Sequence, residues 1–211
     1  MNNTTKKENM LYTTSNELVK QIASETTMQE LLGKLSQHCG RIYIKAFSTA
    51  ETVAGILEVN YELYHKYNNQ ITDIIRACLL LDIGYIQIPN QIVNKTSLLT
   101  IDEFNLIKTH PDLSAKIAKE YGYSKFVQEI ILKHHERFDQ TGYPKRLKLT
   151  HEDIASYIAA ADVYSALTAP CPFRRQVRYS PMEALGLLKG SENYYFDSKT
   201  IDKLNSQIQI I

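Results

Sequence analysis

Residues that make tight turns are scarce in this sequence: the 211-residue chain has only eight glycines and six prolines. An all-β fold needs many tight turns, and these residues supply most of them. After about residue 13, apolar side chains instead recur at helical spacing, as at Val53, Ile56, Leu57 and Tyr61. The sequence therefore predicts an all-α protein.

Other absences exclude whole classes of protein. Three widely spaced cysteines, Cys39, Cys78 and Cys171, are typical of reduced thiols and not of a disulfide framework. The start, MNNTTKKENMLYTTSNE, lacks the apolar segment of a signal peptide, and no apolar run is long enough to span a membrane. A formal net charge of +1 gives no basic field for nucleic acid. We therefore expect a cytoplasmic protein without a membrane span and without DNA as a partner.

The organisation along the chain predicts one domain. Residues 1–27 are expected to form a flexible tail, up to about residue 13, and a lead-in helix, with a single domain over residues 28–211. Capping-box patterns at Thr100 and Ser180 each predict the start of a helix, and Pro111 suits the first turn of another. Further helices are predicted over residues 71–81, 124 to about 139, and 150–167, whereas YIQIPNQIV favours extended chain.

Two acidic residues lie inside apolar helical runs. Asp82 is in ACLLLDIGY and Asp162 is in SYIAAADVYSALTA. A buried carboxylate costs several kcal/mol unless it is paired or binds a metal. Each acid is therefore either a structural cap or ion-pair partner, or a metal ligand.

Three of the six histidines add to this pattern. His134 and His135 end the apolar run VQEIILKHH, and His110 immediately precedes Pro111. Taken singly, such histidines are more often packing residues than ligands. Together with Asp82 and Asp162 on separate helices, they suit Fe, Mn, Zn or Co. A pair of such ions can hold a phosphate and generate hydroxide near neutral pH.

Four segments carry a resemblance to a known family: LLLDIGYIQIP, KTHP, HHERFDQTGYP and AADVYSALTAPCPFR. Together they resemble the HD-GYP family, a branch of the HD phosphohydrolase superfamily. Its members hydrolyse cyclic di-GMP to pGpG or GMP with two or three metal ions, often iron or manganese. The resemblance implies that residues 28–211 form an HD-GYP-like bundle of about seven helices with the metals between the central helices.

The resemblance implies one nearly complete ligand set and one broken set. The first ion would be bound by Asp82, His110, His134 and His135. The second ion would share Asp82 and add Asp162, together with two family histidines that this chain lacks.

Those two missing histidines fall on identifiable positions. The histidine of the H-D pair is replaced by Leu81, and a gapless count places Thr49 at the upstream histidine. His38 could take the upstream position only with an insertion of about eleven residues. A glutamate that three-metal members use falls on Lys45.

The implied nucleotide contacts are also altered. The family lysine that meets the phosphate is Tyr85 here, so no residue is assigned a catalytic role. The first arginine of the family's R-P-Y-R segment is Cys171, which leaves Arg174. The turn of Gly142, Tyr143 and Pro144 is retained, and in the family it lies beside the nucleotide and contacts partner domains.

These substitutions all affect metal binding or phosphate binding. They predict a degenerate HD-GYP signalling domain that binds a nucleotide such as cyclic di-GMP, a divalent metal, or a signalling protein, with weak or no hydrolysis. The expected metal content is one ion or none. The alternative is an active metal-dependent cyclic di-GMP phosphodiesterase with an atypical metal site.

Overall fold

Helices form nearly all of the regular structure in this computed structural model, which describes residues 14–169, 178–190 and 194–209. A 3₁₀ helix at Ile83–Gln87 lies between α5 and α6. The α-helices are α1 Ser15–Ala23, α2 Thr26–His38, α3 Gly40–Val59, α4 Tyr61–Tyr67, α5 Ile71–Leu80, α6 Asn90–Val93, α7 Ile101–Ile107, α8 His110–Glu120, α9 Lys125–Lys133, α10 Ile154–Thr168, α11 Pro181–Lys189 and α12 Ser198–Ile208.

The all-α prediction is confirmed, since the described residues form helices and no strand, with isolated β-bridges such as that between Arg137 and Lys148. The chain divides into more segments than the expected bundle because short helices connect the long ones. Both predicted capping boxes are present: Thr100 accepts from the backbone N–H of Glu103, and Ser180 accepts from that of Glu183. Pro111 lies in the first turn of α8, as predicted.

The helix predicted over residues 124 to about 139 is too long, because α9 ends at Lys133. Beyond that point the backbone makes tertiary hydrogen bonds in place of helical ones. The N–H of Phe138 donates to the Tyr195 carbonyl at 3.1 Å, and that of Asp139 donates to the Tyr194 carbonyl at 2.9 Å. His134 and His135 therefore lie just beyond a helix end.

The extended conformation predicted for YIQIPNQIV is also wrong. These residues form the end of the 3₁₀ helix and then α6. Short helical turns place Ile83, Ile88 and Val93 in the core, and this burial outweighs the strand preference of β-branched residues. The helix predicted from Thr150 begins only at Ile154, because Asp153 is its N-cap.

The core is built around α3, which packs against α1, α2, α5 and α10. Helix α10 is apolar on all sides, and its run of buried alanines at residues 159–161 allows neighbouring helices to approach closely. The most deeply buried side chains of the centre include Ile56, Leu57, Ile74 and Leu79. The packing of these helices also buries two acidic residues, Asp82 and Asp162.

The predicted tail, residues 1–13, lies outside the described residues. Helix α1 buries Val19 and Ile22 in the same core as the rest of the chain. The domain boundary at residue 28 stays a prediction. Among the described residues, no helix combines the length and the apolar character that crossing a bilayer requires.

Candidate metal centre

Three helix ends bring the candidate ligands together. Asp82 follows α5, His110 is the first residue of α8, and His134 and His135 follow α9 directly. One ligand atom from each residue lies within 4.8 Å of one atom from each of the others. Ends of helices suit this role because a side chain there can turn inward without distorting a helix interior.

The imidazole rings of His134 and His135 both approach that of His110 closely. Its Nε2 atom lies 3.2 Å from Nε2 of His134 and 3.1 Å from Nε2 of His135. The same atom lies 3.2 Å from Oδ1 of Asp82. Four potential ligand atoms thus converge on one small volume.

Backbone carbonyls set the tautomers of two of these rings. Nδ1 of His110 donates to the carbonyl of Ile107 at 2.8 Å, and Nδ1 of His134 donates to that of Ile131 at 2.6 Å. A neutral imidazole carries a single N–H, so the Nε2 atoms of both rings present lone pairs. The two carbonyls orient the rings as outer hydrogen-bond partners orient metal-binding histidines.

Burial keeps the imidazoles of His134 and His135 neutral. Desolvation, reinforced by the neighbouring His110, lowers the pKa of His134 to about 4. Desolvation and the two adjacent rings hold the pKa of His135 well below its usual range. Burial opposes ionisation of Asp82, but the charge of Lys45 outweighs it and holds that carboxyl's pKa well below its ordinary value. Near neutral pH, His134 and His135 are therefore neutral rings beside a carboxylate.

This arrangement fits a divalent metal ion. The buried Oδ1 of Asp82 accepts no hydrogen bond from any described residue, and a buried, unsatisfied carboxylate oxygen is costly. The Nε2 lone pairs of His110 and His134, which face each other at 3.2 Å, repel unless a cation lies between them. Imidazole and carboxylate ligands are those that Zn, Fe and Mn accept.

Asp162, the remaining predicted metal ligand, has a different partner. Nζ of Lys45 lies 2.7 Å from Oδ1 of Asp162 and 2.6 Å from Oδ2 of Asp82. Burial alone lowers the pKa of the Lys45 ammonium, but the charges of Asp162 and Asp82 outweigh it and raise the pKa above its usual value. The ammonium group therefore stays charged between the two carboxylates.

The two candidates for the upstream histidine position separate clearly in space. Thr49 is buried, and its hydroxyl donates a long, 3.5 Å hydrogen bond to Oδ1 of Asp162. His38 instead places Nε2 2.9 Å from the Ile88 carbonyl, at the end of α2. Thr49 is thus the residue beside the acidic pair.

Aromatic rings enclose the histidines. Tyr85 stacks on His110 with ring centroids 4.5 Å apart, and Tyr143 stacks on His135 at 4.7 Å. Nζ of Lys108 lies 5.7 Å from the centre of the Tyr143 ring. The retained turn thus touches the candidate metal site directly, whereas Arg174 lies outside the described residues.

Gly142 explains how this turn reaches the histidines. A Cβ atom at this position would lie 2.4 Å from the carbonyl oxygen of His135 and 2.6 Å from Cα of Glu136. Only glycine permits so close an approach of two backbone segments. The N–H of Tyr143 then donates to the His135 carbonyl at 3.1 Å, and Pro144 follows.

Sequence reasoning missed two residues of this region. Glu136 is buried and accepts the backbone N–H groups of Lys145 and Leu147 at 2.7 and 2.8 Å, which ties the turn to the end of α9. The ion-pair role of Lys45 was also missed. A signal existed in each case: Glu136 directly follows the histidine pair, and Lys45 interrupts an apolar helical stretch.

The chain is similar to several known proteins. A family model described as an HD domain matches residues 17–200. A protein of Pseudomonas aeruginosa named cyclic di-GMP phosphodiesterase PA4108 is 40% identical over 103 residues, which covers 47% of this chain and 24% of that protein. The cyclic di-GMP phosphodiesterase response regulator RpfG of Xanthomonas campestris is 33% identical over 158 residues, which covers 72% of this chain and 40% of that protein.

A solved structure supports the fold. The HD domain of the L. monocytogenes phosphodiesterase PgpH aligns with a TM-score of 0.58 and 15% sequence identity, over 84% of this chain and 94% of that one. The chain spans less than half the length of each of the two curated relatives described above.

Proposed function

The chain belongs to the HD domain family, and on that premise we propose that it binds one divalent metal ion and a cyclic dinucleotide, with weak or no hydrolysis. Cyclic di-GMP is the first candidate, because relatives along this chain carry that nucleotide in their names. Iron or manganese is the proposed metal.

One observation carries the proposal: Oδ1 of Asp82 converges with the Nε2 atoms of His110, His134 and His135. These four residues would hold the ion. When bound, such an ion would neutralise phosphate charge and lower the pKa of a coordinated water. The surrounding residues orient the rings, exclude water and supply surfaces for the nucleotide.

The aromatic side chains beside the cluster suit a nucleotide base. Tyr143 is half-buried against His135, and bases stack on such rings in a sequence-tolerant way. Lys108 adds a positive charge next to that ring. We propose that Gly142, Tyr143 and Pro144 line the part of the site where the nucleotide binds and that Arg174 contacts a phosphate.

We expect weak hydrolysis because the side chains at Leu81, Thr49 and Tyr85 are poor ligands for a second ion or for a phosphate. Leu81 is fully buried and has no ligand atom, and Thr49 supplies only a hydroxyl. Burial, together with the charge of Asp82, raises the pKa of Tyr85, so its phenol stays neutral. A neutral donor in place of an ammonium forgoes a charge-assisted hydrogen bond of about 1.5–3 kcal/mol.

The alternative is an active phosphodiesterase that works with this one ligand cluster. The observation that favours it is that the cluster is complete: all four ligand atoms are present, and the tautomers of His110 and His134 are set for binding. A single ion can generate a nucleophile from water without a second ion. Only turnover separates the two functions.

The test uses the full chain loaded anaerobically with Fe²⁺ or with Mn²⁺. Calorimetric titration measures binding of cyclic di-GMP, and chromatography measures formation of pGpG and GMP. We expect binding without sustained turnover. Turnover that His134→Ala abolishes, and that exposed His65→Ala retains, would establish the active phosphodiesterase instead. Absence of binding would remove the nucleotide from the proposal.

A further inference from the structure

The two oxygens of the Asp82 carboxylate face two different positions, each of which would suit a cation. Oδ1 faces the imidazoles, 3.2 Å from Nε2 of His110, and Oδ2 lies 2.6 Å from Nζ of Lys45. A carboxylate that bridges two metal ions shares its oxygens in the same way. In this chain the second position holds an ammonium group.

The second position is also closed by Asp162. Its Oδ1 lies 2.7 Å from the same Nζ atom, and the side chains of Asp82 and Asp162 are nearly inaccessible to solvent. Both distances are typical of short, charge-assisted hydrogen bonds. Two buried carboxylates need positive charge nearby, and Lys45 provides it from within the chain.

We propose that Lys45 is a built-in second cation, which neutralises Asp82 and Asp162 and restricts this site to one exchangeable metal ion. The inference rests on the proposed function, since it concerns the number of ions that the same site accepts. Asp162 is then a partner of Lys45 and not a metal ligand.

Charge and space explain the restriction. An ammonium group and a metal ion at the same two carboxylates would repel each other in a poorly solvated site. Lys45 is tethered to α3, whose packing in the core fixes the position of its backbone. An ion from solution would therefore have to displace a covalently attached cation that meets both carboxylates at hydrogen-bonding distance.

The test counts metal ions per chain in the wild type and two charge-matched variants. Lys45→Glu removes the ammonium and leaves three carboxylates around the vacated position. Lys116→Glu makes the same change in net charge at an exposed position on α8. After loading with Mn²⁺ and removal of free metal, elemental analysis should give one ion for the wild type and Lys116→Glu and two for Lys45→Glu.

Electron paramagnetic resonance of the Mn²⁺-loaded proteins gives a second readout that does not depend on activity. We expect the signal of an isolated ion in the wild type and that of an exchange-coupled pair in Lys45→Glu. Two ions or a coupled pair in the wild type would overturn the inference. So would a folded Lys45→Glu protein that gains no ion relative to the wild type.

A further variant keeps the test decisive if Lys45→Glu does not fold. The Asp162→Asn protein retains the Lys45 ammonium. Because Asp162 binds Lys45 and not the metal in this proposal, we expect the Mn²⁺ affinity of the variant to fall by less than tenfold. A fall of more than a hundredfold would identify Asp162 as a ligand and overturn the inference.

The outcomes separate this inference from the proposed function. A wild type that binds no ion contradicts the proposed metal function. The role of Lys45 is then decided by whether Lys45→Glu binds one ion more than the wild type does.

Discussion

The phenol ring of Tyr85 stacks on the imidazole of His110, with ring centroids 4.5 Å apart and planes inclined by 20°. Nδ1 of the same imidazole donates to the Ile107 carbonyl at 2.8 Å. The orientation of the ring at the centre of the histidine cluster is therefore set by one stacking contact and one hydrogen bond.

Removing the stacking ring should weaken metal binding. We expect Tyr85→Ala to lower Mn²⁺ affinity by roughly tenfold, the smaller of the effects seen when groups that orient metal ligands are lost. Tyr85→Phe keeps the stacked ring and should retain the wild-type affinity, as measured by calorimetric titration. An equal loss in both variants would mean that the hydroxyl, and not the stacking, is what matters.

Metal should stabilise the folded chain. At a free Mn²⁺ concentration of one hundred times Kd, binding contributes about 2.7 kcal/mol, which corresponds to a rise in Tm of roughly 5–10 °C for a chain of this size. We expect His134→Ala to abolish this rise in a thermal-unfolding assay, because it removes one of the four ligands.

His65→Ala is the matched control for that experiment, because His65 is exposed on α4, where its ring contacts the rings of Tyr61 and Tyr64. It should retain the full metal-dependent rise in Tm. A rise that survives in His134→Ala would place the bound metal elsewhere in the molecule.

The glycine of the retained turn should tolerate no side chain. Gly142→Ala would bring Cβ within 2.4 Å of the His135 carbonyl oxygen, and backbone on both sides must shift. We expect a loss of about 1–3 kcal/mol in the free energy of unfolding, as for other overpacked sites. Urea denaturation measures it.

Gly186→Ala is the comparison, since an added Cβ in α11 would have no described atom within 4 Å apart from its chain neighbours and the adjacent backbone of its own helix. Alanine there should stabilise the chain by about 0.5–1 kcal/mol, because glycine is the poorer helix former. Similar losses at the two glycines would rule out the close approach at Gly142 as the cause.

Glu136 should be a structural residue of the turn. In Glu136→Gln one of the two backbone N–H groups, of Lys145 or Leu147, would face an amide NH₂ in place of an oxygen. A buried donor without an acceptor costs about 1–3 kcal/mol, and we expect urea denaturation to show that loss.

Glu129→Gln makes the same substitution at an exposed site of α9, where the ion pair with Lys125 is 3.8 Å long. Surface changes of this kind usually alter stability by less than about 0.5 kcal/mol. A Glu136→Gln protein as stable as this control would show that the turn does not depend on the carboxylate.

Local sequence information was sufficient for much of the fold. Helical periodicity predicted the all-α class, and the capping boxes at Thr100 and Ser180 located two helix starts. These signals act over three or four residues, so they can be read without knowledge of the tertiary structure. The helix end after Lys133 could not be predicted, because backbone N–H groups beyond it, of Phe138 and Asp139, donate to carbonyls of residues 194–195, which are distant in sequence.

The sequence by itself determined the fold class and the residue types that form the candidate site, because helical period and side-chain chemistry are local properties. Only the tertiary structure decided that Lys45, and no imidazole, meets both Asp82 and Asp162. That contact joins α3, the end of α5 and α10, and it depends on the packing of their apolar faces. Spacing along the chain does not encode which buried charges such packing brings together.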